Sequence, residues 1–388
     1  MNNNIAQDMD FKGTPEELGQ DLIHRTVTGA YPMFGYNIDE VREGAALIRT
    51  KNPDDWARLW SGFGDRHNAA AQAAEGKGDF ATAQAEYDAA YGWFSLARWP
   101  APHTALRWAA YERSLEAFAN YDRFNANPLR HVTIKVDGEE ITALLRVPSG
   151  PGPFPLYVQI SGLDGYKELI ARMTTVELAK RGIATLTMDA PGTGQAAKIT
   201  VEVWRTLKSM VDKVVAMPEI DARKVVLYGG SFGGFWATLL AYRMPETFAG
   251  VVVHGGPLGL AHLNFHGEYM FDGEVALTHA VKGARSYAEA LELASGLDLS
   301  APGRLDGPTP PMLLLNGVHD QIVSIDSLYR VLGSGTTPKE AWVNPQGVHM
   351  GRQAGAWTFG RIYAEIIMPW VMARMGGSGS FAQASEVP

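Results

Sequence analysis

The chain of 388 residues contains no cysteine. That absence excludes disulfides, thiolate metal centres and a cysteine nucleophile together, so any nucleophilic side chain must be of another kind. A basic surplus is also missing: 34 lysine and arginine residues face 42 aspartate and glutamate residues, a formal net charge of −8. Such a chain offers no positive field for nucleic acid or anionic lipid, and neither is expected as a partner. No segment reaches the roughly 18 uninterrupted apolar residues of a membrane span. The first thirty residues have neither the basic start nor the apolar stretch of a secretory signal, so the expected location is the cytoplasm. What the chain does have is 46% hydrophobic residues and 42 glycines, a globular composition at a length that suits one large α/β domain with an addition, or two domains.

Residues 15 to about 127 lack strand alternation and carry helical faces instead: Trp56, Trp60 and Phe63; Phe80, Tyr87, Tyr91 and Phe94; Trp108, Tyr111, Leu115 and Phe118. Gly76, Gly78, Pro100 and Pro102 punctuate this stretch, with Asp79 as an expected N-cap. From Asn127-Pro128 onward the texture changes. Strand-like runs (HVTIKVD, ITALLRV, LYVQI, IATLTMD, KVVLY, AGVVVH, PMLLLN, EAWVN) alternate with helical patterns near 166–181, 199–217 and from 231. The pattern near 199–217 sets Val203, Leu207, Met210, Val214 and Met217 on one side. Strands alternating with helices predict an α/β fold with a mostly parallel sheet covered on both faces, opened by an antiparallel hairpin at one edge. The expected division is a helical segment over 1–130, a sheet domain over 131–376 with an insertion near 255–305 lying over one end of the sheet, and a linker-like tail over 377–388.

The stretch KVVLYGGSFGGFWATLL, residues 224–240, runs a strand into a helix through one serine set among glycines. Ligands collect at the carboxyl ends of parallel strands, and a serine on a tight turn there projects its hydroxyl into the crevice. This is the G-x-S-x-G nucleophile elbow, with Gly229 and Gly233 in its glycine places. A serine hydroxyl needs a base, and the base an orienting carboxylate. Asp320 follows the strand PMLLLN and His349 follows EAWVN, in the order Ser, Asp, His that this architecture uses. Of ten histidines, only His349 has that place. For the oxyanion the expected donors are the backbone N–H of Phe232 and one from the loop SGLDGYKE, Leu163 or its neighbour Gly162.

Other residues are weaker candidates. Gly192 and Gly194 in MDAPGTGQ lack the Lys-Ser/Thr or dinucleotide spacing of a phosphate loop, and no cofactor is expected. Asp189 reads as part of a structural turn beside the site, with a displaced triad acid as the alternative. His262 and His266 stand four apart, but no third ligand accompanies them; a solvated or pocket-lining pair is expected and no metal. Tyr31, Phe34, Trp60, Tyr91 and Trp99 are aromatic candidates for lining an apolar pocket, against the reading that aromatics at helical spacing are core.

Taken together, the helical prefix and the motifs SGLDGYKE, DAPGTGQ, GGSFGG, NGVHD and GVHM resemble one branch of the α/β-hydrolases, that of the 2,6-dihydroxypseudooxynicotine hydrolases, fungal polyketide-shortening hydrolases and FrsA-like proteins. The resemblance implies an α/β-hydrolase fold capped by the helical segment, and a Ser231, Asp320, His349 triad. It also implies hydrolysis of carbon–carbon bonds in β-diketone-like compounds, or of esters. Asp164 matches an acidic loop position thought to assist carbon–carbon cleavage; this chain has Asp where the nicotine-pathway enzymes have Glu. A carboxyl group there repels a forming oxyanion if ionised and donates a proton if protonated. The alternative is that Asp164 caps the helix starting near Tyr166 or pairs with Lys167. The expected activity is cleavage of a carbon–carbon bond next to a carbonyl in a small hydrophobic or aromatic substrate. Carboxylesterase or lactonase, peptidase or acyltransferase, a non-catalytic binding role, and a homodimer all stay open.

Overall fold

The computed structural model describes residues 8–265 and 272–377; His266 and the tail from 378 onward lie outside them. The described chain divides into two compact units, 8–128 with 272–276, and 129–265 with 277–377. The stretch expected as one insertion, 255–305, is thus shared between them. Residue 272 is drawn to the helical unit by charge. Asp272 accepts Arg107 Nη1–H at 3.2 Å and Asp10 N–H at 2.9 Å, while its own N–H donates to Asp10 Oδ1.

The helical unit contains α1 (Pro15–Thr28), α2 (Ile38–Ala45), α3 (Pro53–Glu75), α4 (Phe80–Arg98) and α5 (Ala105–Asp122). Each starts on a side chain that accepts first-turn amides: Thr14, Asn37, Asn52, Asp79 and Thr104. Trp60 stacks on Trp93 at 5.3 Å and packs beside Trp56 and Phe63. The α5 face differs from the expected one. Trp108 is 46% exposed and Leu115 only half-buried, and the face is turned so that Arg107, Ala110 and Ser114 go inside with Tyr111 and Phe118. Arg107 is pushed down to about 10 by burial, against the pull of Asp272; the ion pair, not apolarity, orients the helix. Phe80, another expected face residue, is also exposed at the start of α4.

The second unit is built on eight strands in the order β1-β2-β4-β3-β5-β6-β7-β8. They are β1 (Arg130–Val136), β2 (Glu139–Arg146), β3 (Phe154–Ile160), β4 (Ala184–Met188), β5 (Ile220–Gly230), β6 (Gly250–His254), β7 (Met312–Gly317) and β8 (Lys339–Asn344). The first two form the antiparallel edge hairpin and β2 meets β4 antiparallel; the remaining pairs are parallel. Strands β4, β6 and β7 are buried at every residue, as expected where helices cover both faces. The crossovers carry α6 (Lys167–Lys180), α7 (Trp204–Val215) and α8 (Phe232–Arg243). Helix α7 begins five residues later than its apolar period suggests, because Ile199 is taken into a β-bridge with Val281 and its N–H donates to Ala280 O. Beneath the sheet, Tyr157, Tyr228, Val252, Leu313 and Leu315 pack on Ile362, Tyr363 and Ile367 of the closing helical stretch 359–374.

Candidate active site

Strand β5 runs directly into α8 at Ser231, which sits at φ 52° and ψ −122°. A non-glycine residue with positive φ is strained and held by its surroundings. The glycines flanking it have no space for side chains. A Cβ at Gly229 would lie 2.1 Å from Gly233 O, and one at Gly233 would lie 2.3 Å from Ile160 O. Both clashes are with backbone, so only glycine lets β3, β5 and α8 close around the turn. At Gly230 the nearest atoms are the ends of the Tyr228 and Met350 side chains, a softer constraint.

Three strand ends bring Ser231, Asp320 and His349 together. His349 Nδ1 is 2.8 Å from Asp320 Oδ2, and its Nε2 is 2.8 Å from Ser231 Oγ. A carboxylate only accepts, so Nδ1 carries the proton, Nε2 presents its lone pair, and the Ser231 hydroxyl donates to it. The other carboxylate oxygen, Asp320 Oδ1, accepts the N–H groups of Ile322 and Val323. Burial alone would raise Asp320; the neighbouring imidazole, with the Val323 amide and the Asn316 side chain, outweighs it and holds the carboxyl below its ordinary value. His319, next in chain, is exposed and outside this relay.

The turn after His349 is tightly fixed. Met350 has a positive φ of 61°. Its N–H donates to Asn316 Oδ1 at 3.0 Å, Gly351 O accepts Asn344 Nδ2–H at 2.9 Å, and Met350 O accepts His254 Nε2–H at 2.7 Å. His254 is fully buried, and burial pushes it down to about 3, so its ring stays neutral.

The loop 161–166 carries two of the expected oxyanion donors, Gly162 and Leu163, while Phe232 opens α8. Gly162 lies against the nucleophile: a Cβ built there would sit 3.8 Å from Ser231 Cβ and 3.8 Å from Asp164 Oδ1. Phe232 and Leu163 are both buried. The loop is clamped at each end by residues that follow β4. Ser161 Oγ accepts Ala190 N–H, and Asp189 Oδ1 accepts Lys167 N–H at 2.8 Å. The Lys167 ammonium, wholly buried, donates to Glu168 at 2.6 Å, Asp189 at 2.9 Å and Gln195 at 2.8 Å. Asp189 is therefore a clamp rather than a displaced triad acid. Helix α6 has Tyr166 at its N-cap without a side-chain cap, and the N–H of its first residue donates to Asp189; Asp164 is half-buried.

The remaining candidates fall elsewhere. Trp60, Tyr91 and Trp99 are buried in the helical unit, Tyr91 against Phe118 at 5.2 Å; Tyr31 and Phe34 pair with each other at 5.9 Å. His262 Nε2 lies 3.3 Å from Asp298 Oδ1. Among the described residues no group of three or more His, Asp or Glu side chains is placed to hold a metal ion, and no helix is long and apolar enough to cross a membrane.

A mostly parallel sheet covered by helices, with a strained serine at a strand-to-helix turn on its carboxyl edge, defines an α/β-hydrolase fold. A model of the Esterase FrsA-like family matches residues 48–266, more than half the chain, and the chain belongs to that family. It is 27% identical over 216 residues to 2,6-dihydropseudooxynicotine hydrolase of Paenarthrobacter nicotinovorans, covering 54% of this chain and 56% of that one. To Esterase FrsA of Vibrio vulnificus (strain YJ016) it is 28% identical over 132 residues, 34% and 32% of the two chains. The matches thus span about half or less of these curated relatives. Among solved structures, 2,6-dihydroxy-pseudo-oxynicotine hydrolase superposes with a TM-score of 0.66 at 22% identity, over 76% of this chain and 83% of its own. AbyA5 gives 0.65 at 18%, over 81% and 89%. These two likenesses carry the fold.

Proposed function

We propose that the protein is a cofactor-independent serine hydrolase that cleaves a carbon–carbon bond next to a carbonyl in a small hydrophobic substrate, through an acyl-enzyme on Ser231. The observation that carries the hydrolase reading is the imidazole of His349 bridging the Ser231 hydroxyl and the Asp320 carboxylate at 2.8 Å on each side. Ser231 Oγ attacks the carbonyl carbon and its proton passes to His349 Nε2. The amides of Phe232 and Leu163 would receive the resulting oxyanion. The bond to the leaving carbon breaks, its electron pair departing as an enolate that becomes a C–H group by taking the proton held on His349 Nε2, relayed by the Asp164 carboxyl, and the imidazole is neutral again. Water, deprotonated by His349, then attacks the acyl-enzyme, releasing the acid and restoring the serine hydroxyl.

Membership of the FrsA-like family supports the hydrolase class. Support for carbon–carbon cleavage comes from the likeness to 2,6-dihydropseudooxynicotine hydrolase and from Asp164, whose Oδ1 lies, like Ser231 Cβ, 3.8 Å from the point a Cβ on Gly162 would occupy, on the nucleophile's side of the loop, where its carboxyl would pass a proton to a leaving carbanion. Ester hydrolysis is the second reading, favoured by the esterases among the relatives. A fluorophosphonate probe should label wild type and not Ser231→Ala, whose turnover should fall about a millionfold; labelling that persists in the variant ends the proposal. Asp164→Asn, assayed on a β-diketone and on a p-nitrophenyl ester, should lose at least tenfold more on the diketone. Equal losses would leave the ester reading standing and remove the carbon–carbon one.

A further inference from the structure

The register of the sheet places His254, the last residue of β6, opposite Gly230, the last residue of β5. From there it reaches both partners of the reacting pair. Its main-chain oxygen accepts the N–H of Ser231 at 2.8 Å, and its ring Nε2–H donates to Met350 O, next to His349, at 2.7 Å. We propose that His254 is a positioning residue that fixes the distance between Ser231 and His349 by tying the nucleophile's turn to the base's turn through one buried side chain.

The ring is specified for this task. Met350 O can only accept, so Nε2 must hold the proton, and Nδ1 then accepts from the Tyr228 hydroxyl, 3.2 Å away. Tyr228 stands in β5 three residues before Ser231 and is itself buried. The O–H of Tyr228 thus selects the tautomer that the Met350 carbonyl requires. Phe359 stacks on the ring at 5.9 Å with an 18° tilt, which fixes the remaining rotation. Full burial keeps the imidazole uncharged across the working pH range, so Nδ1 stays an acceptor for the Tyr228 hydroxyl. The turn it holds has positive φ at Met350 and would relax without restraint. Nothing in the acyl-transfer steps uses His254 chemically, and this assignment rests on the reading of Ser231 and His349 as nucleophile and base.

The test compares His254→Gln, His254→Phe and Tyr228→Phe by the rate of fluorophosphonate labelling and by kcat and KM on a p-nitrophenyl ester. All are measured well below the melting temperature of each variant. Failure of wild type to label would sink the nucleophile reading and this proposal together; with wild type labelled, the variants judge the proposal alone. His254→Phe, which fills the space and donates nothing, should lose about a hundredfold in kcat and labelling with KM within about threefold, the size expected of a misplaced catalytic pair. His254→Gln, whose amide can reach the same carbonyl, should recover most of that loss. Tyr228→Phe, which leaves His254 in place but frees its tautomer, should lose several-fold in the same two quantities and decides the matter should His254→Phe not fold. Labelling at the wild-type rate in both Phe variants, or in Tyr228→Phe where it alone folds, would overturn the proposal. So would loss of the acid limb of the kcat profile in His254→Gln, since residue 254 would then be the base.

Discussion

The two loops that flank Ser231 are fixed by different physics. The turn at 349–351 is held mainly by uncharged groups, the amides of Asn316 and Asn344 and a neutral imidazole, each meeting a backbone atom, with one charged donor, Arg352 Nε–H, on His349 O at 3.0 Å. The loop at 161–166 is held at its far end by a buried ammonium with two carboxylates, Lys167, Glu168 and Asp189, all at most 3% exposed. Removing a neutral partner leaves a buried amide or carbonyl unpaired, about 1–3 kcal/mol. Removing one member of a buried ionic group leaves an uncompensated charge, about 3–5 kcal/mol. One side of the site is therefore tolerant and the other brittle, although both position backbone beside the same hydroxyl.

The sharpest way to break this contrast is to melt Lys167→Met and Asn316→Ala side by side. Lys167→Met keeps the apolar stem but strands Asp189 and Glu168 together, and its melting temperature should fall on the order of 10 °C at neutral pH. Asn316→Ala leaves Met350 N–H and Val323 O without their partner and should fall by less than half of that. Circular dichroism melts decide it; equal losses would mean that solvent reaches Lys167 and that the ionic clamp is no more brittle than the neutral one.

The sequence made Ser231, Asp320 and His349 visible because each follows an apolar strand, and their order along the chain is a local property that can be read off. The edge hairpin and the parallel strands were legible for the same reason. His254 was not singled out as a site residue, since its role comes from β6 landing beside β5, a pairing no local pattern specifies. Lys167 left a fainter signal: a lysine at the first position of a helix sits at the positive end of the helix dipole, where a cation is disfavoured, and its presence there asks for a carboxylate from elsewhere in the chain. The face of α5 was misread because Trp108 outranks Arg107 on any apolar scale, while an ion pair to Asp272, 165 residues away, decides which of them goes inside.

The smallest effect belongs to Glu168, one carboxylate of the ionic clamp. Glu168 is raised above its ordinary value of 4.5, first by burial and then by Asp189, against the pull of Lys167. A carboxyl raised on folding binds its proton more tightly in the native state, so the stability linked to it is full below 4.5 and is lost as pH rises through the folded value. Asp320 is lowered and runs the other way, its contribution present above its ordinary 3.8 and lost as pH falls through the folded value. Glu168→Gln, a neutral isostere that leaves Lys167 paired with Asp189, should change stability by no more than about 1 kcal/mol at neutral pH. Its effect should also depend on pH with a definite sign. Because Asp320 and the other groups that do not touch Glu168 cancel between variant and wild type, and Lys167 stays charged over this range, the stability of Glu168→Gln relative to wild type should climb as pH is raised from 4 to 8. Denaturant titrations at four or five pH values measure that difference. A difference that stays flat over the range would place Glu168 at its ordinary value and take away the charge imbalance that sets the 161–166 loop apart from the turn at His349.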